Sequence, residues 1–139
     1  MPVTVRVKDV MDKSVVLVGA EESVMDALKK MLQSGVWSVV VEKRGLPEGV
    51  ITERDILRRC VVKGLNLEKV KCEEIMSSPL LTIDPDSPLG EAMKVMAEKH
   101  VRRLYVVEGG KIIGRVTQTG LFENILNIMM ALSSIPYQI

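Results

Sequence analysis

The hydrophobic and polar positions of this chain follow one pattern that occurs twice. Shifted by 65 residues, the spacing of Met11 and Met76, the sequence aligns with itself without a gap from Val7 to Ile56. Similarity at one fixed spacing is typical of a chain built from copies of a single structural unit. We therefore predict two repeats, with bounds at residues 1–67 and 68–139.

The first repeat predicts the element order β-α-β-β-α. Its opening strand is predicted at Val15–Val18, a short apolar run. Ser23 is a predicted N-cap, because apolar residues at helical spacing follow it. A second strand at Trp37–Glu42 and a third strand ending at Ile51 form a predicted hairpin, and the last helix is expected to begin near Glu53.

The second repeat predicts the same elements, with an opening strand at Leu80–Ile83. Here Ser87 is the predicted cap and Pro88 the first helical residue. The second strand is predicted at Arg103–Glu108 and the last helix from near Gln118. One repeat of about 60 residues buries little apolar surface by itself. We therefore expect an α+β fold in which a pseudo-twofold axis relates two paired repeats, with clefts between them.

Composition makes several classes of protein improbable. Lys and Arg number 19 against 18 Asp and Glu, whereas a nucleic-acid binder usually has a strong basic excess. One His and two Cys without a C-x-x-C pattern disfavour a metal site and a catalytic nucleophile with its base. The chain has neither the apolar core of a signal peptide nor a run that is long enough to span a membrane. We expect a cytoplasmic protein that is not an enzyme.

One motif, Gly-x-apolar-Thr-x-x-(Asp), ends the hairpin of both repeats as GVITERD and GRVTQTG. With the openings VMDKSVVLV and IMSSPLLTI and the segment VRRLYVVEGGKIIG, it resembles a cystathionine-β-synthase (CBS) domain pair, or Bateman module. The likeness covers about Val7 to Met130. It implies a regulatory or sensing module that binds an adenosine nucleotide or S-adenosylmethionine between its repeats.

Thr52 and Asp55 of this motif admit two interpretations. Thr-x-x-Asp is close to a capping box, in which each side chain bonds the backbone of the other residue. The second repeat keeps Thr117 but has Gly120, a poor helix residue, in place of the acid. The resemblance assigns the ribose hydroxyls to Asp55 and the ribose or phosphates to Thr52. We therefore expect one competent nucleotide site rather than two.

Arginines complete the expected site, because their planar fork suits phosphate oxygens. In the family, a side chain at the position of Arg102 and Arg103 often reaches the phosphates, and backbone and apolar groups around the opening strand hold the base. The predicted nucleotide-binding residues are Thr52, Arg54, Asp55, Ser77, Ser78, Pro79, Leu80, Val101, Arg102 and Arg103. A degenerate second cleft is predicted from Trp37, Ser38, Thr117 and Thr119, although Trp37 is interpreted first as a core residue.

The tail ENILNIMMALSSIPYQI is apolar on more than one face, which favours burial against a second copy. We expect a homodimer and a downstream partner protein; alternatively, this helix only closes its own domain. Three functions remain open: a sensor of AMP (favoured), ADP or ATP, a binder of S-adenosylmethionine, and a structural dimerisation module. The cationic, phosphate-free S-adenosylmethionine fits Arg102 and Arg103 poorly.

Overall fold

The computed structural model describes residues 4–133 of the 139-residue chain, which fall into two compact units. The Thr52 unit is Ser14–Leu80. The Thr117 unit comprises the residues up to Lys13 together with those from Leu81 onward. The compact units are therefore bounded differently from the predicted repeats, because the leading segment of each repeat packs with the other copy.

The Thr52 unit contains a three-stranded sheet in the order β1-β2-β3. Strands β1 and β2 are parallel, and β2 and β3 form the predicted antiparallel hairpin. Its elements are β1 Leu17–Gly19, α2 Val24–Ser34, β2 Ser38–Lys43, β3 Leu46–Thr52, α3 Glu53–Ile56, which continues as a π-helical segment at Leu57–Val61, and α4 Cys72–Ile75.

The Thr117 unit repeats this topology, with sheet order β4-β5-β6. Its elements are α1 Val7–Val10, β4 Thr82–Ile83, α5 Leu89–Lys99, β5 Arg103–Glu108, β6 Lys111–Thr117 and α6 Gln118–Ser133. The predicted α+β fold is confirmed, as are the starts of the last helices at Glu53 and Gln118. The short helices α1 and α4 are additional to the predicted elements. The end of the predicted tail surface, 134–139, lies outside the described residues.

The beginning of α5 corrects one prediction. In α2 the N-cap is Ser23, whose hydroxyl accepts the Asp26 N–H at 3.1 Å. The equivalent N-cap of α5 is Pro88 rather than Ser87, and the helix begins one residue later than predicted. Proline has no side-chain acceptor, and the Leu89 N–H instead donates to the carbonyl of Val5 at 2.8 Å.

The leading segments are tied into their units by backbone hydrogen bonds. In the Thr117 unit, the Val7 N–H donates to the Ser87 carbonyl at 2.9 Å. In the Thr52 unit, the Val24 N–H at the start of α2 donates to Val70 at 2.9 Å. Helix starts leave N–H groups without intrahelical partners, and these segments satisfy some of them.

Each unit also has its own hydrophobic core, and the leading helix contributes to it. The Thr52 unit buries Cys72 and Ile75 of α4 among residues of α2 and the sheet, and the Thr117 unit buries Val7 of α1 in the same way. Of the apolar stripe predicted for the first helix, Ala27 and Met31 have no exposed surface, whereas Leu32, predicted on the same face, is 63% exposed.

Candidate functional site

Gly49 determines where the segment after α4 lies. Ser77 and Val50 exchange two backbone hydrogen bonds, Val50 N–H to Ser77 O at 3.0 Å and the reverse at 2.9 Å. A Cβ on Gly49 would lie 2.5 Å from the Ser77 carbonyl oxygen. Any other residue would therefore displace this segment from β3. The glycine of the repeated motif thus brings Ser77 opposite a residue only two positions before Thr52.

The Thr52 turn contains the capping box that the sequence allows. The Asp55 N–H donates to Thr52 Oγ1 at 3.2 Å, and the Thr52 N–H donates to Asp55 Oδ2 at 2.9 Å. The Asp55 side chain is half-buried. Its other oxygen, Oδ1, accepts no hydrogen bond from residues 4–133. The cap therefore occupies one carboxylate oxygen and leaves the second available to a ligand.

The equivalent turn in the Thr117 unit has only half of this arrangement. Thr117 Oγ1 accepts the Gly120 N–H at 3.0 Å, so the hydroxyl half of the cap is kept. Gly120 has no carboxylate that could accept a hydrogen bond from the Thr117 N–H. Gly114 there has the same role as Gly49, since its Cβ would lie 2.7 Å from the Asp12 carbonyl oxygen. The two units thus share the backbone of the motif and differ in its acid.

Trp37 corrects a second prediction, because 54% of it is exposed and it is not a core residue. It precedes β2, and the apolar positions buried at this point are Val36 and Val39. Its carbonyl accepts the Glu53 N–H at 3.2 Å. Ser38, 2% exposed, pairs with Thr52 in the sheet. Two of the four residues predicted for the second cleft, Trp37 and Ser38, therefore lie beside the Thr52 turn.

Arg102 and Arg103, which were predicted for the nucleotide site, lie beside the Thr117 turn. The Arg102 carbonyl accepts the Gln118 N–H at 2.8 Å, and Arg103 is the sheet partner of Thr117. Arg102 and Thr119 are exposed. Val101 is half-buried against the core of the Thr117 unit. Their convergence with Asp55 on one ligand stays a prediction.

The remaining predicted residues belong to the Thr52 unit. Ser78 Oγ donates to the Glu48 carbonyl at 3.0 Å, which fixes a second point of the segment after α4 on β3. Arg54 and Pro79 are exposed, and Leu80 is half-buried. The polar groups of Ser78 and Arg54 are thus accessible to a ligand.

Sequence reasoning missed Arg59. Arg59 Nη1 donates to the carbonyls of Ile75 at 2.6 Å and Met76 at 3.2 Å. The sequence signal was its position four residues after Asp55, because side chains at this spacing share a helix face.

The two cysteines supply no reactive thiolate. Cys60 and Cys72 are both buried. Burial raises the pKa of Cys72 to about 12 and also raises the pKa of Cys60, so both thiols are neutral near pH 7. Within residues 4–133, no group of three His, Cys, Asp or Glu side chains is placed to hold a metal ion. None of the helices in this range has the length and apolar character needed to cross a membrane.

The CBS domain family model matches this chain twice, at residues 7–62 and 72–127. The chain belongs to the CBS domain family. Both matches fall within the predicted repeats, and the resemblance inferred from the motif is confirmed. The repeated CBS domain is characteristic of regulatory and signal-transduction modules, and no catalytic family is indicated.

Similar proteins include an uncharacterized protein of Methanopyrus kandleri, 36% identical over 122 residues, which are 86% of this chain and 62% of that protein. The chain spans 50% to 62% of the length of three curated relatives, of which this is one. An uncharacterized conserved protein from Pyrococcus horikoshii has a similar crystal structure, with TM-score 0.81, 31% identity and coverage of 100% of this chain and 99% of that one. A CBS domain protein from Pyrobaculum aerophilum, complexed with AMP, has TM-score 0.79 and 24% identity, covering 92% and 99% of the two chains.

Proposed function

We propose that this CBS domain pair is a regulatory module that binds an adenosine nucleotide, with AMP favoured and ADP and ATP as further candidates. The observation that carries the proposal is the Asp55 carboxylate, held by the Thr52 N–H through Oδ2 at 2.9 Å while Oδ1 accepts no bond from the described residues. A fixed carboxylate with a free oxygen suits ribose hydroxyl donors. The AMP complex of the Pyrobaculum protein supports the choice of ligand class.

Each part of the nucleotide has proposed partners. Asp55 and Thr52 receive the ribose, and the backbone and apolar groups from Ser77 to Leu80 receive the base. The phosphate is proposed to contact the guanidinium groups of Arg54, Arg102 and Arg103, which match phosphate oxygens in geometry and charge. Val101 is the proposed apolar wall of the base site.

The proposed action is regulation through binding. A ligand present at a hundred times its dissociation constant stabilises the binding-competent state by about 2.7 kcal/mol. Such differential affinity shifts the population of the module toward that state. The proposed receiver of this change is a partner protein that binds one of the two states preferentially.

We also propose that the module is a homodimer that uses α6. This helix exposes apolar side chains along its length: Phe122, Ile125, Leu126, Ile128, Met129, Met130 and Leu132. Within a single chain, only Leu121 of α6 is buried. A helix whose apolar residues exceed what its own unit covers is stabilised by burial against a second copy.

The test is calorimetric titration of the full chain with AMP, ADP, ATP, S-adenosylmethionine and GMP. AMP is expected to bind and to raise the melting temperature by several degrees at saturation, whereas GMP is not. Trp37, the single tryptophan, lies beside the Thr52 turn, and its fluorescence gives a second readout. Absence of binding by every adenosine compound would leave the structural dimerisation module as the function.

S-adenosylmethionine is the alternative ligand, and two arginines distinguish it from AMP. Replacing Arg102 and Arg103 together by glutamine removes two positive charges. If the ligand is AMP, this double variant binds it more weakly, and added salt weakens AMP binding to the wild-type protein. If the ligand is S-adenosylmethionine, which is cationic, the same variant retains or gains affinity.

A further inference from the structure

Arg59 joins two elements of the Thr52 unit, the π-helical segment Leu57–Val61 and the end of α4. Its Nη1 donates to the carbonyl of Ile75 at 2.6 Å and of Met76 at 3.2 Å. Ile75 is the last residue of α4, and Met76 is its C-cap. Carbonyls at a helix end have no intrahelical partner, so a cation there satisfies them and interacts favourably with the helix dipole.

The residue that follows this pair of carbonyls is Ser77. The segment is therefore fixed from two sides, by Arg59 at Ile75 and Met76 and by the two backbone bonds between Ser77 and Val50. Because each peptide unit is planar, holding the Met76 carbonyl also fixes the orientation of the peptide unit that leads into Ser77, where the segment toward Leu80 begins. Arg59 thus orients the segment that the proposed function assigns to the base.

The Thr117 unit provides an internal comparison. The residue that matches Arg59 in the repeat is Asn124, whose Nδ2 donates to the carbonyl of Gly120, within α6 itself. The Thr52 unit thus has both Arg59, which bonds the end of α4, and Asp55, the acid of the motif. The Thr117 unit has Asn124 and Gly120 at the matching positions. Two independent differences fall on the same unit.

We propose that Arg59 is a positioning residue of the nucleotide site. It holds the segment from Ser77 to Leu80 in the orientation that receives the ligand and has no contact with the ligand itself. Arg59 lies within the π-helical segment Leu57–Val61, a helix irregularity that is frequent at functional sites. The inference rests on the proposed function.

The test compares Arg59→Gln and Arg59→Lys with Arg58→Gln, a neighbouring exposed arginine on the same segment. Titration of the full chain with AMP is expected to show about tenfold weaker binding for Arg59→Gln, the effect of losing a charged hydrogen bond of about 1.4 kcal/mol. Arg59→Lys keeps a cation that can reach one carbonyl and is expected to recover part of this affinity. Arg58→Gln should bind as the wild-type protein does.

Hydrogen exchange without nucleotide provides a readout of position. The Ser77 and Val50 N–H groups, each of which donates to the carbonyl of the other residue, are expected to exchange faster in Arg59→Gln than in Arg58→Gln. Wild-type AMP affinity in Arg59→Gln, or a loss that Arg59→Lys does not reduce, would overturn the positioning role alone. If the wild-type protein binds no adenosine nucleotide, the proposed function and this role both fail.

Discussion

At the scale of single residues, Asp55 combines a structural and a proposed binding role. Its Oδ2 belongs to a capping box, so an effect of mutation on ligand affinity is informative only if the loss of the cap is measured separately. The chain contains a suitable comparison in α1. Asp9 is the acid at the same position of that helix, and its Oδ2 accepts the Arg6 N–H at 2.8 Å.

We expect Asp55→Asn to lower AMP affinity by about 10- to 100-fold, because the amide lacks the charge that strengthens a bond to ribose hydroxyls. Asp9→Asn should lower stability by a similar small amount, about 0.5–1 kcal/mol, and leave affinity unchanged. Calorimetric titration and urea denaturation measure the two quantities. Equal AMP affinity in the two variants would show that Asp55 acts only as a cap.

Residue-scale expectations succeeded where local chemistry decides the outcome. The cap at Thr52 was readable because threonine followed by an acid three residues later satisfies a helix start locally. Trp37 was misread as a core residue, since its surface exposure depends on where β2 begins and on which neighbours reach it. Arg59 was overlooked because its partners lie 16 and 17 residues away in sequence.

At the scale of elements, the first turn of α6 lacks the acid that the first turn of α3 has. We expect Gly120→Asp to stabilise the Thr117 unit by about 1 kcal/mol, since it removes a poor helix residue and completes a capping box with Thr117. The new Cβ would lie 2.9 Å from Thr117 Oγ1, so that hydroxyl must shift slightly. The Thr52 turn accommodates the same pair with its capping bond at 3.2 Å.

Gly120→Ala is the matched control, because it adds the Cβ and the helix propensity without the carboxylate. Urea denaturation followed by circular dichroism gives the stability of each variant. Because alanine has the higher helix propensity, an aspartate variant that is more stable than the alanine variant indicates that the acid completes the cap. An aspartate variant that is less stable than the alanine variant would mean that the hydroxyl of Thr117 already supplies the whole effect of the cap.

At the scale of the whole molecule, the sequence repeats and the compact units divide the chain at different positions. The repeats could be predicted because their fixed spacing is a property of the sequence. The exchange of leading segments was not, because it depends on packing between residues far apart, such as Cys72 beside the carbonyl of Ser23. Pattern analysis therefore predicted the strands and longer helices and their order but not the short helices α1 and α4, each of which packs in the compact unit of the other repeat.

This distinction predicts how fragments behave. Residues 14–80 and residues 1–67 are fragments of equal length, but only the first contains α4 with Cys72 and Ile75 in the core. We expect fragment 14–80 to show cooperative unfolding and dispersed amide resonances, and fragment 1–67 to be largely unfolded. Small units are marginally stable, so the loss of two buried side chains is decisive. A cooperatively folded fragment 1–67 would contradict this division.

The exposed apolar surface of α6 is expected to be the dimer interface. Ile125 and Met129, four residues apart on one helix face, are 48% and 60% exposed in a single chain. If two copies bury this face, Ile125→Asp combined with Met129→Asp places two charges in an apolar interface and should convert a dimer into a monomer. Leu32→Asp, at a 63% exposed position of α2, is the control and should leave the mass unchanged. Sedimentation equilibrium distinguishes the two masses, and a wild-type monomer at micromolar concentration would contradict the proposed dimer.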